Sequence, residues 1–126
     1  MKYFKYIPID IVNGPGTRCT LFVTGCPHHC PHCYNQATWS FTGGFSFGDE
    51  QADRIISDLK DTRVRRRGLS LSGGEPMHPV NAPFSSSWCA ACGRSRLSPT
   101  FGYGRATAWT SWSPPSSRSL PCSLTW

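Results

Sequence analysis

The sequence has no long run of apolar residues. The N-terminal stretch MKYFKYIPID is not apolar enough for a signal peptide, and no stretch of the 126 residues could span a membrane. These absences exclude the membrane and exported classes and predict a cytoplasmic protein. A chain of this length holds at most one domain.

Acidic side chains are missing from the last third of the chain, since all seven lie between Asp10 and Glu75. Residues 1–83 carry nine basic and seven acidic side chains, whereas residues 84–126 carry four arginines and no acid. The formal charge of +6 therefore belongs mostly to the C-terminal part. Charge alone can indicate a nucleic-acid partner, but this distribution does not, and we predict none.

Regular apolar patterns are also missing after Pro83, where the chain has eleven serines and four of the five tryptophans. Reading the codons of FGYGRATAWTSW two bases later permits IWVWTGYRLDEL, an apolar strand followed by the start of an amphipathic helix. We therefore predict that residues 84–126 are an irregular, disordered tail, translated out of frame after a slip near Ala82–Ser85. The spacing of Cys89 and Cys92 in this tail is then accidental, and we assign it no function.

Regular elements can be predicted before Pro83. The run CTLFVTG, from Cys19 to Gly25, is apolar and rich in β-formers, which predicts a buried strand. Apolar residues recur at helical spacing from about Asp49 to Arg63, and a second short strand is predicted over Gly68–Ser72. Strand, helix, strand is the beginning of an α/β fold with a parallel sheet.

Four arginines follow the predicted helix, at positions 63, 65, 66 and 67. Cations are accepted by the negative end of the helix dipole and by solvent. We therefore interpret this run as a solvated helix end rather than a nucleic-acid patch.

The stretch GCPHHCPHCYN places three cysteines and three histidines within eight residues. Without an export signal, cysteines are more typical of thiols or metal ligands than of a disulfide framework. Cys26, Cys30 and Cys33 could hold a structural zinc with one histidine as the fourth ligand. They could also hold a [4Fe–4S] cluster through three thiolates, leaving one iron open to a small molecule. Spacing alone leaves both interpretations open.

Longer motifs indicate a family. The sequence DIVNGPGTRCTLFVTGC (Asp10–Cys26), then CYNQATW (Cys33–Trp39) and LSLSGGEPMHP (Leu69–Pro79), resembles the activating proteins of anaerobic ribonucleotide reductase, in the radical S-adenosylmethionine superfamily. Pyruvate formate-lyase activating enzymes share the GPG-x-R and CxxxCxxC pattern and are the alternative within that superfamily. A small zinc-binding Cys3His interaction module is the alternative of another class. The resemblance covers residues 1 to about 83.

The resemblance implies a [4Fe–4S] cluster on Cys26, Cys30 and Cys33, which form the catalytic centre. The open iron would bind S-adenosylmethionine, flanked by His32 and Tyr34. The reduced cluster would split S-adenosylmethionine into methionine and a 5′-deoxyadenosyl radical, which makes a glycyl radical on the reductase. A one-electron donor such as reduced flavodoxin is implied as a second partner.

A glycine turn of Gly73, Gly74 and Glu75 is implied to hold the amino group of S-adenosylmethionine through backbone polar groups. Residues 13–16 with Arg18 match the family's entry motif, which either turns the chain into the first strand or docks the partner. The implied fold is a partial TIM-like (β/α) barrel with the cluster loop at the C-terminal end of the first strand. This chain would supply only its first units.

Four further cysteine and histidine side chains are not assigned a functional role. Cys19 is predicted to be a buried strand residue without redox function. His28 and His29 are predicted to be loop residues rather than ligands. No role follows from the sequence for His78.

Overall fold

The computed structural model describes residues 1–84 and the backbone of residues 100–101. These residues form a mixed five-stranded sheet with one α-helix. The strands are β1 Lys2–Asp10, β2 Arg18–Val23, β3 Phe45–Ser46, β4 Leu69–Gly73 and β5 Thr100–Phe101, and the helix is α1 Asp49–Lys60. A short 3₁₀ turn covers Gln36–Thr38.

The strand order in the sheet is β3-β1-β2-β4-β5. β4 pairs parallel with β2, and Cys19 lies opposite Leu69 at the start of both strands. The predicted strand–helix–strand unit with parallel pairing is therefore present. β1 pairs antiparallel with β2, and β3 pairs antiparallel with β1. The fold is mixed α/β, as predicted; the partial TIM-like barrel stays a prediction.

The core lies between α1 and one face of the central strands. Successive strand residues point to opposite faces, so alternate residues of β2 and β4 meet the helix. They pack against side chains one turn apart on α1, and the buried cluster consists of Cys19, Leu21, Ile55, Leu59, Leu69 and Leu71. The prediction that Cys19 is a buried strand residue is confirmed, since it is 0% exposed.

The helix ends at Lys60, three residues before the predicted end. Asp61 has an extended backbone, with ψ of 112°, and its N–H donates to the carbonyl oxygen of Ser57. The Asp61 carboxylate then accepts hydrogen bonds from the N–H and guanidinium of Arg63. A side chain that bonds the backbone two residues later favours a turn over another helical turn.

The arginine run is not solvated throughout. The Arg66 side chain is 4% exposed and donates to the carbonyl oxygens of Pro8 at 2.7 Å and Asp58 at 2.6 Å. It therefore fastens the end of α1 to β1. The interpretation as a solvated helix end holds for Arg63 and Arg65 and is wrong for Arg66.

The tail prediction falls almost entirely outside the described residues. Within it, the structure describes residue 84 and the strand β5, which pairs parallel with β4 through Ser70 opposite Thr100. Cys89, Cys92 and Ser85, the last residue of the proposed slip site, lie outside that part. In the part of the chain that is described, no helix is long and apolar enough to cross a membrane.

Candidate iron–sulfur site

The cysteine loop begins directly after β2. The N–H of Gly25 donates to the Thr38 carbonyl oxygen at 2.8 Å, and the N–H of Cys26 donates to the Trp39 carbonyl oxygen at 3.0 Å. The chain thus leaves the sheet at Cys26, forms a loop, and returns beside its own starting point. These two hydrogen bonds hold the ends of the loop together and do not involve the residues inside it.

The three thiols differ in exposure. Cys26 and Cys33 are half-buried and Cys30 is exposed. The N–H of Cys33 donates to the Cys30 carbonyl oxygen at 3.1 Å, which closes a turn between them. His29 and His32 have positive φ angles of 42° and 62°. Such angles are uncommon for residues other than glycine and often occur at ligand-binding turns.

The thiols are close enough to influence one another. Burial raises the pKa of Cys26, and the negative charges of Glu75 and of the Cys30 and Cys33 thiolates raise it further. A bound cation reverses this effect, because a coordinating thiol is deprotonated outright. The N–H of His28 opposes these effects on Cys26, so the raised pKa reflects burial first.

The predicted glycine turn lies against the base of this loop. The N–H of Gly74 donates to the Val23 carbonyl oxygen at 2.9 Å, and that of Glu75 donates to the Gly25 carbonyl oxygen at 2.8 Å. A Cβ atom on Gly74 would lie 2.7 Å from the Gly25 oxygen, and Gly73 has a φ of +92°. Only glycine permits this conformation and this approach.

Asn81 joins the same two segments and was not predicted from the sequence. Its side chain is 1% exposed, and its Nδ2 donates to the carbonyl oxygens of Thr24 and Glu75, both at 3.0 Å. One amide thus bridges the end of β2 and the residue after the glycine pair. An asparagine six residues beyond a turn carries no sequence signal for such a role.

Glu75 also contacts the cysteine loop through its side chain. Its Oε2 lies 3.3 Å from Nε2 of His28, and its Oε1 accepts the N–H of Met77 at 2.9 Å. His28 therefore faces the glycine turn, in agreement with its prediction as a loop residue. His78 packs its ring against Phe41, with centroids 4.5 Å apart.

The structure brings together only part of the predicted site. Cys26, Gly73, Gly74 and Glu75 lie at the shared end of β2 and β4. Tyr34 is 99% exposed and His32 is exposed, so neither packs against the glycine turn. Their predicted contacts with S-adenosylmethionine stay predictions.

The donor set of the loop includes three thiols, the ligand type that iron–sulfur clusters use. Among residues 1–84, no three Cys, His, Asp or Glu side chains converge on a point where they could hold one metal ion. Tetrahedral zinc requires four ligands around one centre, whereas cluster thiolates bind different iron atoms. A buried donor without an acceptor, Nε1 of Trp39, lies beside the same loop. Ligation of a cluster by the three thiols of this loop stays a prediction.

Comparison with known proteins defines the class. A family model described as a 4Fe-4S single cluster domain matches residues 12–99. The chain belongs to this 4Fe-4S single cluster domain family. The match favours the iron–sulfur interpretation over the zinc module.

The chain is also similar to individual curated proteins that share one name. The anaerobic ribonucleoside-triphosphate reductase-activating protein of Vibrio cholerae serotype O1 is 67% identical over 81 residues, which are 64% of this chain and 52% of the relative. The Escherichia coli K12 protein of the same name is 60% identical over 83 residues, 66% of this chain and 54% of the relative. That of Enterobacteria phage T4 is 43% identical over 81 residues, 64% and 51% of the two chains.

These relatives confirm the resemblance to reductase-activating proteins. The chain spans about half the length of the curated relatives that it matches. Within that half lie the cysteine loop and the glycine turn.

Proposed function

We propose that this chain carries the cluster-binding half of a cytoplasmic glycyl-radical activating enzyme. Cys26, Cys30 and Cys33 would ligate a [4Fe–4S] cluster and leave one iron open. The partner would be an anaerobic ribonucleoside-triphosphate reductase, as the names of the relatives suggest, and a one-electron donor such as reduced flavodoxin would reduce the cluster.

The observation that carries this proposal is the contact between the glycine turn and the cysteine loop. Two backbone hydrogen bonds, from Gly74 to Val23 and from Glu75 to Gly25, place the turn one residue from Cys26. A molecule bound to the open iron would therefore reach the polar backbone of the turn. This proximity suits a ligand that coordinates iron through its amino and carboxylate groups and contacts the turn at the same time.

S-adenosylmethionine is the proposed ligand, and the cluster would supply the electron for its reductive cleavage. The turn of Gly73, Gly74 and Glu75 would hold the amino group through backbone carbonyl oxygens, which the absence of side chains leaves accessible. His32 and Tyr34 would flank the ligand. Their present exposure leaves both rings available to a ligand bound at the loop.

A partial barrel is the proposed fold of the complete enzyme. The face of β2 and β4 opposite α1 carries buried polar side chains beside Phe22, with Thr20 and Ser70 both at 0% exposure. A polar buried face is unusual for a simple two-layer sheet and is compatible with the interior of a barrel that holds a polar ligand. Chemistry in such barrels lies at the C-terminal ends of the strands, where Cys26 and Gly74 lie here.

The tail decides whether this chain is active. The later strands of the relatives would hold the adenosine part of S-adenosylmethionine and shield the radical, and residues 84–126 have no pattern that would replace them. We therefore propose that the chain as written does not install a glycyl radical. A version with the reading frame restored after about Pro83 should do so.

Electron paramagnetic resonance tests this proposal. The two versions are loaded with iron and sulfide under anaerobic conditions and incubated with the reductase, S-adenosylmethionine and a strong reductant. We expect a glycyl-radical doublet on the reductase with the restored version and none with the chain as written. Equal doublets would show that the tail is a working part of the protein, and no doublet from either would overturn the activating function.

A further inference from the structure

Trp39 carries a buried hydrogen-bond donor at its indole nitrogen. Its Nε1 is inaccessible to solvent and has no acceptor among the residues that the structure describes. Leaving such a donor unpaired forfeits the hydrogen bonds that it would make with water. Most buried polar atoms are paired, so an exception is a candidate contact for an ion or cofactor.

The position of Trp39 places its indole beside the cysteine loop. The Trp39 carbonyl oxygen accepts the N–H of Cys26 at 3.0 Å, which fixes the residue at the base of the cysteine loop. Its indole packs edge-on against the ring of His29, with centroids 4.6 Å apart and an interplanar angle of 65°. The indole thus contacts the segment between the first two cysteines rather than the glycine turn.

We propose that Nε1 of Trp39 donates a hydrogen bond to a sulfur atom of the bound cluster or of its Cys26 ligand. This inference rests on the proposed ligation by the three cysteines. Hydrogen bonds to the sulfur atoms are among the factors that set the reduction potential of a cluster. The reduced cluster carries one more negative charge, so the donor stabilises it more than the oxidised cluster. Trp39 therefore raises the potential and makes reduction easier.

The variant Trp39→Phe tests this role, because it retains an aromatic ring against His29 and removes only the N–H group. The full 126-residue chain is loaded anaerobically with iron and sulfide and titrated with reductant while electron paramagnetic resonance records the reduced cluster. We expect unchanged iron content and a midpoint more negative by about 59 mV. For a one-electron couple, this shift makes the ratio of reduced to oxidised cluster tenfold smaller at a given potential. Trp126→Phe, the same deletion at the last residue, should leave the midpoint unchanged.

A second measurement detects the contact itself and uses the same two variants to assign it. In protein labelled with ¹⁵N at its tryptophan indoles, pulsed electron paramagnetic resonance of the reduced cluster should detect a coupled ¹⁵N nucleus. The coupling should persist in Trp126→Phe and vanish in Trp39→Phe. Absence of coupling in the unaltered chain, or an unchanged midpoint in Trp39→Phe, overturns the assignment of Trp39. Failure of the unaltered chain to bind iron overturns the three-cysteine site itself and is recognised by its lack of visible absorption.

Discussion

The two ends of the paired strands β2 and β4 are built differently. At the amino ends, side chains add to backbone bonds such as the one from the Cys19 N–H to the Gly68 carbonyl oxygen. The buried guanidinium of Arg18 donates to Ser70 Oγ at 2.8 Å and to the Leu69 carbonyl oxygen at 3.3 Å. Ser70 Oγ donates in turn to the Asn13 carbonyl oxygen at 2.6 Å. The entry motif thus forms a closed turn into β2, and its docking role stays a prediction.

At the carboxyl ends, the backbone makes most of the connections. The glycine turn bonds to Val23 and Gly25 through N–H groups, and Asn81 adds the one buried side-chain bridge described for this end. Of the loop side chains, His28 lies 3.3 Å from the Glu75 carboxylate and His29 packs against Trp39, while Cys30 is exposed. Comparison of the two ends shows that the amino end joins its strands through a buried arginine and serine, whereas the carboxyl end carries an exposed thiol on its loop.

The largest expected effect is loss of the cluster when one of the three loop cysteines is replaced. Replacing Cys26, Cys30 or Cys33 with alanine should abolish cluster binding or leave a degraded cluster, because the three thiolates act as one ligand set. Cys122→Ala is the matched control and should bind iron like the unaltered chain. Iron, sulfide and visible absorption are measured after anaerobic reconstitution, and full iron content in Cys30→Ala would contradict the assignment.

The second prediction concerns the amino end. Arg18→Ala removes charge-assisted hydrogen bonds from a buried side chain, so it should lower the free energy of unfolding by about 3 kcal/mol. Arg65 is exposed, and Arg65→Ala should change the free energy of unfolding by less than about 0.5 kcal/mol. Urea unfolding measures both. Similar midpoints for the two variants would mean that this end does not have the stabilising role inferred from its contacts.

The third prediction concerns the carboxyl end. Gly74→Ser would place a Cβ atom against the Gly25 oxygen, whereas the same change at Gly48 has open space. Gly74→Ser should therefore lose about 2 kcal/mol of stability, and Gly48→Ser should be nearly neutral. In a frame-restored chain, bulk at Gly74 should also weaken S-adenosylmethionine binding more than Glu75→Ala does, as measured by the change in the cluster spectrum. The reverse order would exclude the proposed backbone contact.

The smallest expected effect is the pH dependence of stability. Burial raises the pKa of Cys19 above its ordinary value of 9.0, so the folded state keeps a proton that the unfolded state releases. Stability is therefore complete below pH 9 and falls above it, by up to about 1.4 kcal/mol per pH unit for one group. Burial likewise raises the pKa of Tyr6, which donates to Asp58 Oδ2 at 2.8 Å. Unfolding curves between pH 8 and 10 should show a shallower decline for Cys19→Ala, and equal slopes would show that Cys19 does not titrate in this way.

Elements with continuous apolar patterns could be predicted from the sequence. The run through Leu21 gave a buried strand and the spacing of Ile55 and Leu59 gave the helix, because periodicity follows directly from which face is buried. β1 was not predicted. Its register shifts between Tyr3 and Lys5 and between Ile7 and Asp10, so its residues do not alternate between buried and exposed positions.

The site was predictable only as a set of motifs. Spacing and resemblance identified the cysteines and the glycine turn, and their contact through Glu75 agrees with that expectation. The bridge made by Asn81 and the unpaired indole of Trp39 depend on how distant segments meet. Single-residue patterns do not encode such meetings, so neither could be inferred before the fold was known.

On one side of β2, the order of the strands in the sheet is also the order in which they are synthesised. β2 has its antiparallel partner β1 on one side, and on the other side β4 and then β5 are added in the order in which the chain is synthesised. Chains fold from the N-terminus as they emerge from the ribosome, so each new parallel strand joins an edge that already exists. The inner pair, with the loop and turn at its end, is complete before residue 84 is made.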